Sequence, residues 1–196
     1  LNLKEVEYEQ ISIHLTKGGG EQFEAVYSEI NPQNLVPTLM DGEVKIFQSM
    51  AIMEYLEEKF PAPSLLPSDH SSRARVRALA NMIACDIHPL NNLRVRLYLV
   101  DEMNVTEENR QAWISHWIHI GFQAYEKNLV NCEEIGLYSH GNHPTMADAC
   151  LIPQIANARL NKVDLSNFPL ILQVEERCQA HPAFKKALPS NQPDGT

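Results

Sequence analysis

A proline-rich segment divides the sequence into two parts that differ in the secondary structure they predict. Pro61, Pro63 and Pro67 lie close together, and a helix cannot continue through them because proline lacks a backbone N–H and clashes with the preceding turn. Short strands and short helices are predicted before this segment, and only helices after it. We therefore expect a mixed α/β domain over residues 1–62 and an all-helical domain over residues 63–196.

The first part alternates between patterns typical of strands and of short helices. Polar and apolar residues alternate over residues 8–15, which predicts a strand after a helix tail at residues 1–4. A glycine-rich loop and a short amphipathic helix over residues 21–30 are expected next. Two strands follow at residues 36–40 and 44–47, joined by a turn at Asp41-Gly42. Ser49 is the expected N-cap of a helix over residues 50–60.

The second part shows helical periodicity almost throughout. We expect a long helix over residues 69–100 with a kink at Pro89. Thr106 caps a helix that reaches about Val130, with an apolar stripe at Trp113, Trp117, Ile120 or Gly121, and Ala124. Thr145 and Asp148 form a variant of the capping box before a helix over residues 149–158. Two more helices are predicted over residues 168–180 and 183–188.

Charge and composition exclude several classes of protein. The formal net charge is -9, from 16 Lys and Arg against 25 Asp and Glu, so no nucleic-acid partner is expected. No apolar run is long enough for a membrane-spanning helix. The four cysteines are widely spread, which favours reduced thiols and a cytoplasmic location. Cys85 and Cys150 are expected to be small buried apolar residues, and no cysteine is expected to be a nucleophile.

Histidine pairs do not amount to a metal site in this sequence. His116 and His119 form one pair, and His140 and His143 form another. A structural or catalytic site needs at least a third ligand and a fixed second shell, which the sequence does not offer. We therefore predict no metal.

Several motifs, taken together, resemble those of the cytosolic glutathione transferases, and most closely those of the zeta class, the maleylacetoacetate isomerases. The first part contains Asn31-Pro32-Gln33-Asn34-Leu35-Val36-Pro37-Thr38-Leu39 and Gln48-Ser49-Met50-Ala51 at the family's spacing. Val-Pro-Thr-Leu and Gln-Ser mark the superfamily alone. The second part contains Pro89-Leu90-Asn91-Asn92-Leu93 and the block from Thr145-Met146-Ala147-Asp148 to Pro153-Gln154, which point to the zeta class. The resemblance implies a thioredoxin-like domain followed by an all-α bundle.

The resemblance also implies a glutathione site in the first domain. A proline at the start of a strand leaves Val36 with a free backbone edge, on which an extended peptide can lie. In the family the proline that corresponds to Pro37 is cis, and the residue before it pairs with the cysteinyl backbone of glutathione. Gln48 and Ser49 are implied to hold the γ-glutamyl carboxylate, and Gln22 a further contact. The plain alternatives are an edge-strand proline, an N-cap serine and a surface glutamine.

In the second domain, the family's pattern places His88, Asn92 and the backbone of Leu93 and Arg94 beside the glutathione site. His88 stands where the animal zeta enzymes usually have glutamine, and an ordinary core or surface histidine is the alternative. The basic residues of this acidic chain are densest at Arg73, Arg75, Arg77, Arg94 and Arg96. A dicarboxylate substrate needs such charges, although arginines on a long helix are more often solvated.

Three features depart from the family's pattern. The Ser-Ser-Cys motif that stabilises the glutathione thiolate in the family is expected upstream of Leu1, together with the first strand and first helix, so the catalytic residues are unknown. The link from Cys132 to Gly136 is shorter than expected between two helices, which indicates a further loop there. Arg159 is the candidate substrate residue, although it is one residue earlier than the family's substrate-facing arginine, a rotation of about 100° on a helix.

The function implied by the resemblance is a glutathione-dependent isomerase. It would convert maleylacetoacetate to fumarylacetoacetate in tyrosine and phenylalanine catabolism, with glutathione as the cofactor, a small dicarboxylate as the substrate, and a homodimer as the assembly. Maleylpyruvate isomerase, and a general glutathione transferase that dehalogenates α-halo acids, are the related alternatives. A non-enzymatic glutathione-transferase-like assembly module is the alternative from another class.

Overall fold

The computed structural model describes residues 1–131 and 136–193. They form two compact units, the first comprising Leu1–Ser64 and Pro182–Thr196, the second Leu65–His181. The expected boundary at residues 62 and 63 lies close to the observed division. The further loop expected between Cys132 and Gly136 falls on residues 132–135, which lie outside the described residues.

The first unit contains a two-stranded antiparallel hairpin between two helices. Helix α1 is Ala25–Ile30, strand β1 is Thr38–Asp41, strand β2 is Val44–Phe47, and helix α2 is Ser49–Lys59. Asp41 pairs with Val44 in the ladder, so the turn is the two-residue Gly42-Glu43, one residue later than expected. Gly42 has a φ of 59°, a conformation that glycine adopts without steric cost.

The predicted strand over residues 8–15 is wrong. In the described part of the chain the sheet consists of β1 and β2 alone, and they pair with each other, so this segment has no ladder partner. It is held by local bonds instead: the His14 N–H donates to Glu21 Oε2 at 2.7 Å, and the Glu21 N–H donates to His14 O at 2.9 Å. Alternating polar and apolar residues indicate only that a segment suits the two faces of a sheet. A strand also needs a neighbouring strand with which to pair.

The C-terminal segment belongs to the first unit, whereas the sequence had assigned it to the helical domain. Helix α9, Pro182–Lys186, lies beside the N-terminal 3₁₀ turn Asn2–Lys4. Asn2 Nδ2 donates to Ala183 O at 3.3 Å, and Lys186 Nζ lies 5.9 Å from the centre of the Tyr8 ring. These contacts link the two ends of the chain, a pairing that local patterns cannot reveal. Whether each unit folds as a separate domain stays a prediction.

The second unit is helical over its described residues. Its helices are α3 His70–Asn81, α4 His88–Asn91, α5 Leu93–Asp101, α6 Glu107–Val130, α7 Met146–Leu160 and α8 Pro169–Ala180. Asp69 caps α3 by accepting from the Ser72 N–H at 2.8 Å, and Thr106 caps α6 by accepting from the Asn109 N–H at 3.3 Å. The expected Thr106 cap is therefore confirmed. In the part of the chain described, no helix is long and apolar enough to cross a membrane.

The predicted long helix over residues 69–100 is interrupted twice. A π-helical turn, Met82–Ile87, joins α3 to α4, and Asn92 is extended between α4 and α5. Pro89 cannot donate to the carbonyl four residues earlier, and its ring would clash with that carbonyl. The wider, π-helical turn immediately before Pro89 is one of the usual ways in which a helix accommodates the missing hydrogen bond and the bulk of the proline ring.

The helix expected from Thr106 to about Val130 is confirmed as α6. Trp113, Trp117 and Ile120 of its apolar stripe keep part of their surface exposed, as is common for large aromatic residues. The core of the second unit lies against the neighbouring face of α6. The fully buried side chains there recur at helical spacing one residue later, and they are Ile114, Ile118, Phe122, Tyr125 and Leu129.

Candidate functional site

The N-terminal end of β1 offers an unpaired backbone edge. The ladder begins with Thr38 opposite Phe47, and Val36 lies just before it with 42% of its surface exposed. Among the described residues, no partner of the Val36 backbone is found. The Val36-Pro37 peptide is cis, as the resemblance implied. Val36 therefore has a backbone donor and acceptor available to an extended peptide.

The segment before Val36 is anchored by side chains from α1 and the turn that follows it. The buried Tyr27 hydroxyl donates to Leu35 O at 2.7 Å, and Asn31 Nδ2 donates to the same oxygen at 2.7 Å. The Tyr27 hydroxyl is also 3.1 Å from Thr38 Oγ1. These bonds fix the backbone on both sides of Val36 and Pro37.

Gln48 and Ser49 lie at the junction of β2 and α2, where Gln48 has an unusual backbone. Gln48 has a φ of 74° and a ψ of 117°, a combination that costs a non-glycine residue about 1–3 kcal/mol. Ser49 is exposed and is the first residue of α2, so its expected place as N-cap is wrong. Gln48 is the N-cap, and its side chain does not cap the helix. The first-turn amides of Ser49 and Ala51 are thus left to external acceptors.

The Gln48 side chain is positioned by a residue that the sequence analysis did not single out. Gln48 Nε2 donates to Gln33 Oε1 at 2.7 Å. Gln33 was noted as part of the Asn31-Pro32-Gln33 motif, without a role of its own. Only the fold brings two residues fifteen positions apart into contact.

Gln22 is buried, which excludes the surface position considered for it. It is 5% exposed, and its Nε2 donates to Leu15 O at 3.2 Å. Its Oε1 is fully shielded and has no hydrogen-bond partner in the described residues. Gly20 lies against it, since a Cβ at Gly20 would be 2.6 Å from Gln22 Nε2. An orphaned buried acceptor of this kind is unusual and fits a donor from a bound molecule.

In the second unit, His88 and Asn92 form a small polar group at the break between α4 and α5. Asn92 caps α5 by accepting from the Arg94 N–H at 3.2 Å, and its Nδ2 lies 3.2 Å from His88 Nε2. Desolvation lowers the pKa of His88, a side-chain hydrogen bond with Gln154 opposes this shift, and the charge of Arg96 adds to it. A lowered pKa keeps the imidazole neutral near pH 7, so one ring nitrogen is a donor and the other an acceptor. Arg94 is exposed and Leu93 partly exposed.

Three of the arginines considered for substrate binding have partners within the second unit. Arg73 donates to Pro67 O at 3.1 Å, and Arg75 donates to Ser139 O at 3.1 Å and to Asn128 O at 2.9 Å. Arg159 makes a two-pronged ion pair with Glu175, with Nε donating to Oε1 at 2.9 Å and a second bond from Nη2. This ion pair gives the Arg159 guanidinium a role within the fold. A substrate role for Arg159 stays an untested prediction.

The three described cysteines differ in burial. Cys85 is exposed, so the expectation that it is buried is wrong, whereas Cys150 is half-buried and Cys178 is buried. Burial raises the pKa of Cys150 to about 12. Cys132 lies outside the described residues. Within residues 1–131 and 136–193, no cluster of three or more His, Cys, Asp or Glu is placed to hold a metal ion.

Comparison with known proteins identifies relatives over nearly the full length of the chain. Residues 1–58 match the family described as glutathione S-transferase, N-terminal domain. A probable maleylacetoacetate isomerase of Vibrio cholerae is 45% identical over 99% of this chain and 89% of its own length.

Solved structures agree with these matches. A maleylpyruvate isomerase described as a bacterial zeta-class glutathione S-transferase superposes with a TM-score of 0.96 at 45% identity, covering 100% of this chain and 91% of its own. A maleylacetoacetate isomerase from Methylobacterium extorquens AM1, solved with bound malonate and glutathione, superposes with a TM-score of 0.93 at 34% identity, covering 98% and 89%. Together with the Val36-Pro37 edge and the Gln48-Ser49 junction, these matches lead to one conclusion: the chain belongs to the zeta class of the glutathione transferase family.

Proposed function

We propose that this protein is a glutathione-dependent cis–trans isomerase that converts maleylacetoacetate to fumarylacetoacetate. The observation that carries the proposal is the 45% identity to a probable maleylacetoacetate isomerase over 99% of the chain. The local geometry supports it, because Val36, Gln48 and Gln22 each leave polar atoms suited to a peptide ligand.

We assign the cysteinyl backbone of glutathione to the Val36-Pro37 edge. An extended peptide can pair with the N–H and C=O of Val36 as a short added strand, since neither group belongs to the β1–β2 ladder. Glutathione is a tripeptide in which the cysteinyl residue supplies an ordinary backbone N–H and C=O. The single residue Val36 is therefore long enough as an edge to pair with it.

We assign the γ-glutamyl carboxylate to Gln48 and Ser49. An anion at the start of α2 would accept from the first-turn amides and from the Ser49 hydroxyl, and the helix dipole would favour its charge. Gln22 Oε1 remains as an acceptor for an ammonium or amide N–H of the ligand. In the second unit, glutathione contacts by His88, Asn92, Leu93 and Arg94 are proposals that rest on the family's pattern.

When bound, glutathione would supply a thiolate whose reversible addition to the cis double bond lets that bond rotate. The chain's own contribution in the described residues is to bind and orient the tripeptide. We also propose that the protein is cytoplasmic and that it forms a homodimer. Sedimentation equilibrium of the purified protein tests the homodimer.

The function is tested by measuring the isomerisation of maleylacetoacetate with and without glutathione. We expect turnover only with glutathione, and no net consumption of it over many turnovers. Isomerisation that does not depend on glutathione would overturn the proposal. If there is no turnover, and if glutathione at millimolar concentration does not raise the melting temperature, the non-enzymatic assembly module becomes the better description.

A second candidate substrate, maleylpyruvate, is favoured by the structural neighbour with a TM-score of 0.96, which is a maleylpyruvate isomerase. The ratio of kcat/KM for maleylacetoacetate and maleylpyruvate decides between the two. A ratio above one supports the first substrate, and a ratio below one transfers the assignment to the second. Dehalogenation of α-halo acids is measured with the same preparation and is expected to be slower than either isomerisation.

Replacing Gln48 with glycine should move stability and glutathione affinity in opposite directions. Glycine adopts a φ of 74° without strain, so we expect the free energy of unfolding to rise by about 1 kcal/mol. The loss of the Gln48 side chain should weaken glutathione binding about tenfold, the cost of one hydrogen bond to a charged group. Urea unfolding and calorimetric titration with glutathione measure the two effects.

Gln48→Ala is the matched control for this experiment. It removes the same amide but keeps the strained backbone, so it should lose affinity as the glycine variant does, without the gain in stability. Unchanged glutathione affinity in both variants would show that Gln48 does not contact the ligand.

A further inference from the structure

Arg96, on the first turns of α5, has a buried donor without a partner. Its Nε is fully shielded from solvent and makes no hydrogen bond to any residue in the described part of the chain. Desolvation lowers the pKa of Arg96. Placing a guanidinium N–H out of water without an acceptor costs free energy that a folded protein normally avoids. This arrangement therefore calls for an acceptor that the described chain does not provide.

Arg110 is the charged group whose field acts on Arg96, and it has the same sign. Arg110 lowers the pKa of Arg96 by charge repulsion, and Arg110 itself forms an ion pair with Glu107. Arg96 in turn disfavours the protonated form of His88. No carboxylate of the described residues acts on the pKa of Arg96, although the formal net charge of the chain is -9, so a small anion would meet a guanidinium whose charge is not neutralised.

Gln154 lies beside His88 and is 2% exposed. A side-chain hydrogen bond between its amide and the imidazole opposes the lowering of the pKa of His88, which places the two side chains next to each other. His88 itself is exposed. The second unit therefore combines an unpaired guanidinium donor with a neutral imidazole and the buried amide next to it.

Arg96 contrasts with the arginines whose partners are known. Arg73 and Arg75 donate to backbone carbonyls, and Arg159 is bound to Glu175. Those side chains have a structural role that accounts for their charge. Nothing comparable accounts for the Nε of Arg96.

We propose that Arg96 binds a carboxylate group of the acidic substrate, with His88 and Gln154 as neighbouring polar groups. The assignment rests on the proposed function for the identity of the substrate, because both candidate substrates carry carboxylates. A guanidinium that pairs with a carboxylate through two N–H groups gives both affinity and orientation. In this arrangement Arg96 determines substrate specificity.

Direct binding of a small dicarboxylate tests the site without catalysis. Maleate is titrated calorimetrically into the unmodified protein and into Arg96→Gln, Arg96→Lys and Arg177→Gln. Arg177 is an exposed arginine of the same unit, so its variant makes the same change in net charge. We expect maleate affinity to fall about 10- to 100-fold in Arg96→Gln, to fall less in Arg96→Lys, and to be unchanged in Arg177→Gln.

Stability separates a binding role from a structural one. Arg96 has a donor without a partner, so Arg96→Gln should melt at the same temperature as the unmodified protein or higher without ligand. A lower melting temperature together with unchanged maleate affinity would make Arg96 a structural residue and overturn the proposal. Equal maleate affinity in Arg96→Gln and the unmodified protein, or no maleate binding by the unmodified protein, would also overturn it.

Kinetics distinguish failure of this proposal from failure of the proposed function. If the unmodified protein isomerises its substrate, Arg96→Gln should raise KM for that substrate about 10- to 100-fold, with kcat and the KM for glutathione little changed. Turnover with an unaltered substrate KM in Arg96→Gln would leave the isomerase proposal standing and remove the role of Arg96. If maleate binding depends on Arg96 but the protein has no isomerase activity, the role of Arg96 stands and the isomerase proposal falls.

Discussion

Replacing Lys4 with methionine should lower the free energy of unfolding of the first unit by about 3–5 kcal/mol, the usual cost of leaving one member of a buried ion pair alone. The Lys4 side chain is completely buried, and its Nζ forms an ion pair with Glu57, whose side chain is 6% exposed. Amide hydrogen exchange across α2, which carries Glu57, should accelerate accordingly, and urea unfolding followed by circular dichroism should show an earlier transition.

The size of this effect follows from how completely the ammonium group is satisfied. Besides Glu57, Nζ donates to Phe60 O at 2.7 Å and to Pro63 O at 2.8 Å, so each of its three N–H groups has an acceptor. Glu57 Oε1 also accepts from the Ser64 hydroxyl at 2.5 Å. The group links the N-terminal turn to the end of α2 and the residues that follow it. Methionine keeps most of the volume of the side chain but cannot donate to any of these oxygens.

Lys59→Met is the matched control. Lys59 also pairs with a carboxylate, that of Asp41, but the two side chains are 40% and 35% exposed, so we expect a much smaller loss of stability than in Lys4→Met. The double variant Lys4→Met with Glu57→Leu removes the stranded charge and should recover much of the lost stability. Equal effects of Lys4→Met and Lys59→Met would show that burial of the pair does not matter.

Features with a local cause could be predicted from the sequence. The hairpin at residues 38–47 follows from two apolar segments and a glycine turn, and the starts of α3 and α6 from residues that can cap a helix. The interruption near Pro89 follows from the chemistry of one residue. Each of these signals lies within a few positions of the structure it determines, so no knowledge of distant residues is needed.

Features that depend on distant residues could not be predicted. Residues 8–15 have the alternation of a strand but no neighbour to pair with in the described chain. Lys4 and Glu57 are 53 positions apart, and nothing in their flanking sequence indicates a pair. Arg159 was considered for the substrate because of its place next to the family's substrate-facing arginine, whereas the carboxylate that binds it is 16 positions away on another helix.

The candidate site also combines features that could be predicted from the sequence with features that could not. Val36, Pro37, Gln48 and Ser49 were identified through motifs, and the structure adds the reasons why their polar groups are available. The backbone of Gln48 was not foreseen, because residue type does not predict a φ of 74° at a glutamine. The unpaired Nε of Arg96 was equally hidden, since among the clustered arginines only the fold distinguishes bound side chains from unbound ones.

Replacing Asp148 with alanine should destabilise the second unit by about 3–5 kcal/mol, because it leaves two buried backbone donors without acceptors. Asp148 is fully buried. Its Oδ1 accepts from the Ser139 N–H at 2.9 Å, and its Oδ2 accepts from the Thr145 N–H at 2.7 Å and the Thr145 hydroxyl at 2.9 Å. Burial raises the pKa of Asp148, and these donors oppose the shift. Trp113 and Trp117 both lie in this unit, so tryptophan fluorescence during urea unfolding measures the effect.

Asp164→Ala and Asp148→Asn make the result interpretable. Asp164 accepts from the Ser166 N–H at 2.9 Å and from the Ser166 hydroxyl at 3.0 Å. It is exposed, so water replaces the lost acceptor and we expect a much smaller loss of stability than in Asp148→Ala. Asparagine at position 148 keeps one acceptor oxygen and should give an intermediate loss. If Asp148→Ala costs no more than Asp164→Ala, the start of α7 is not held by this carboxylate, and the reciprocal bonds between Thr145 and Asp148 do not stabilise the helix.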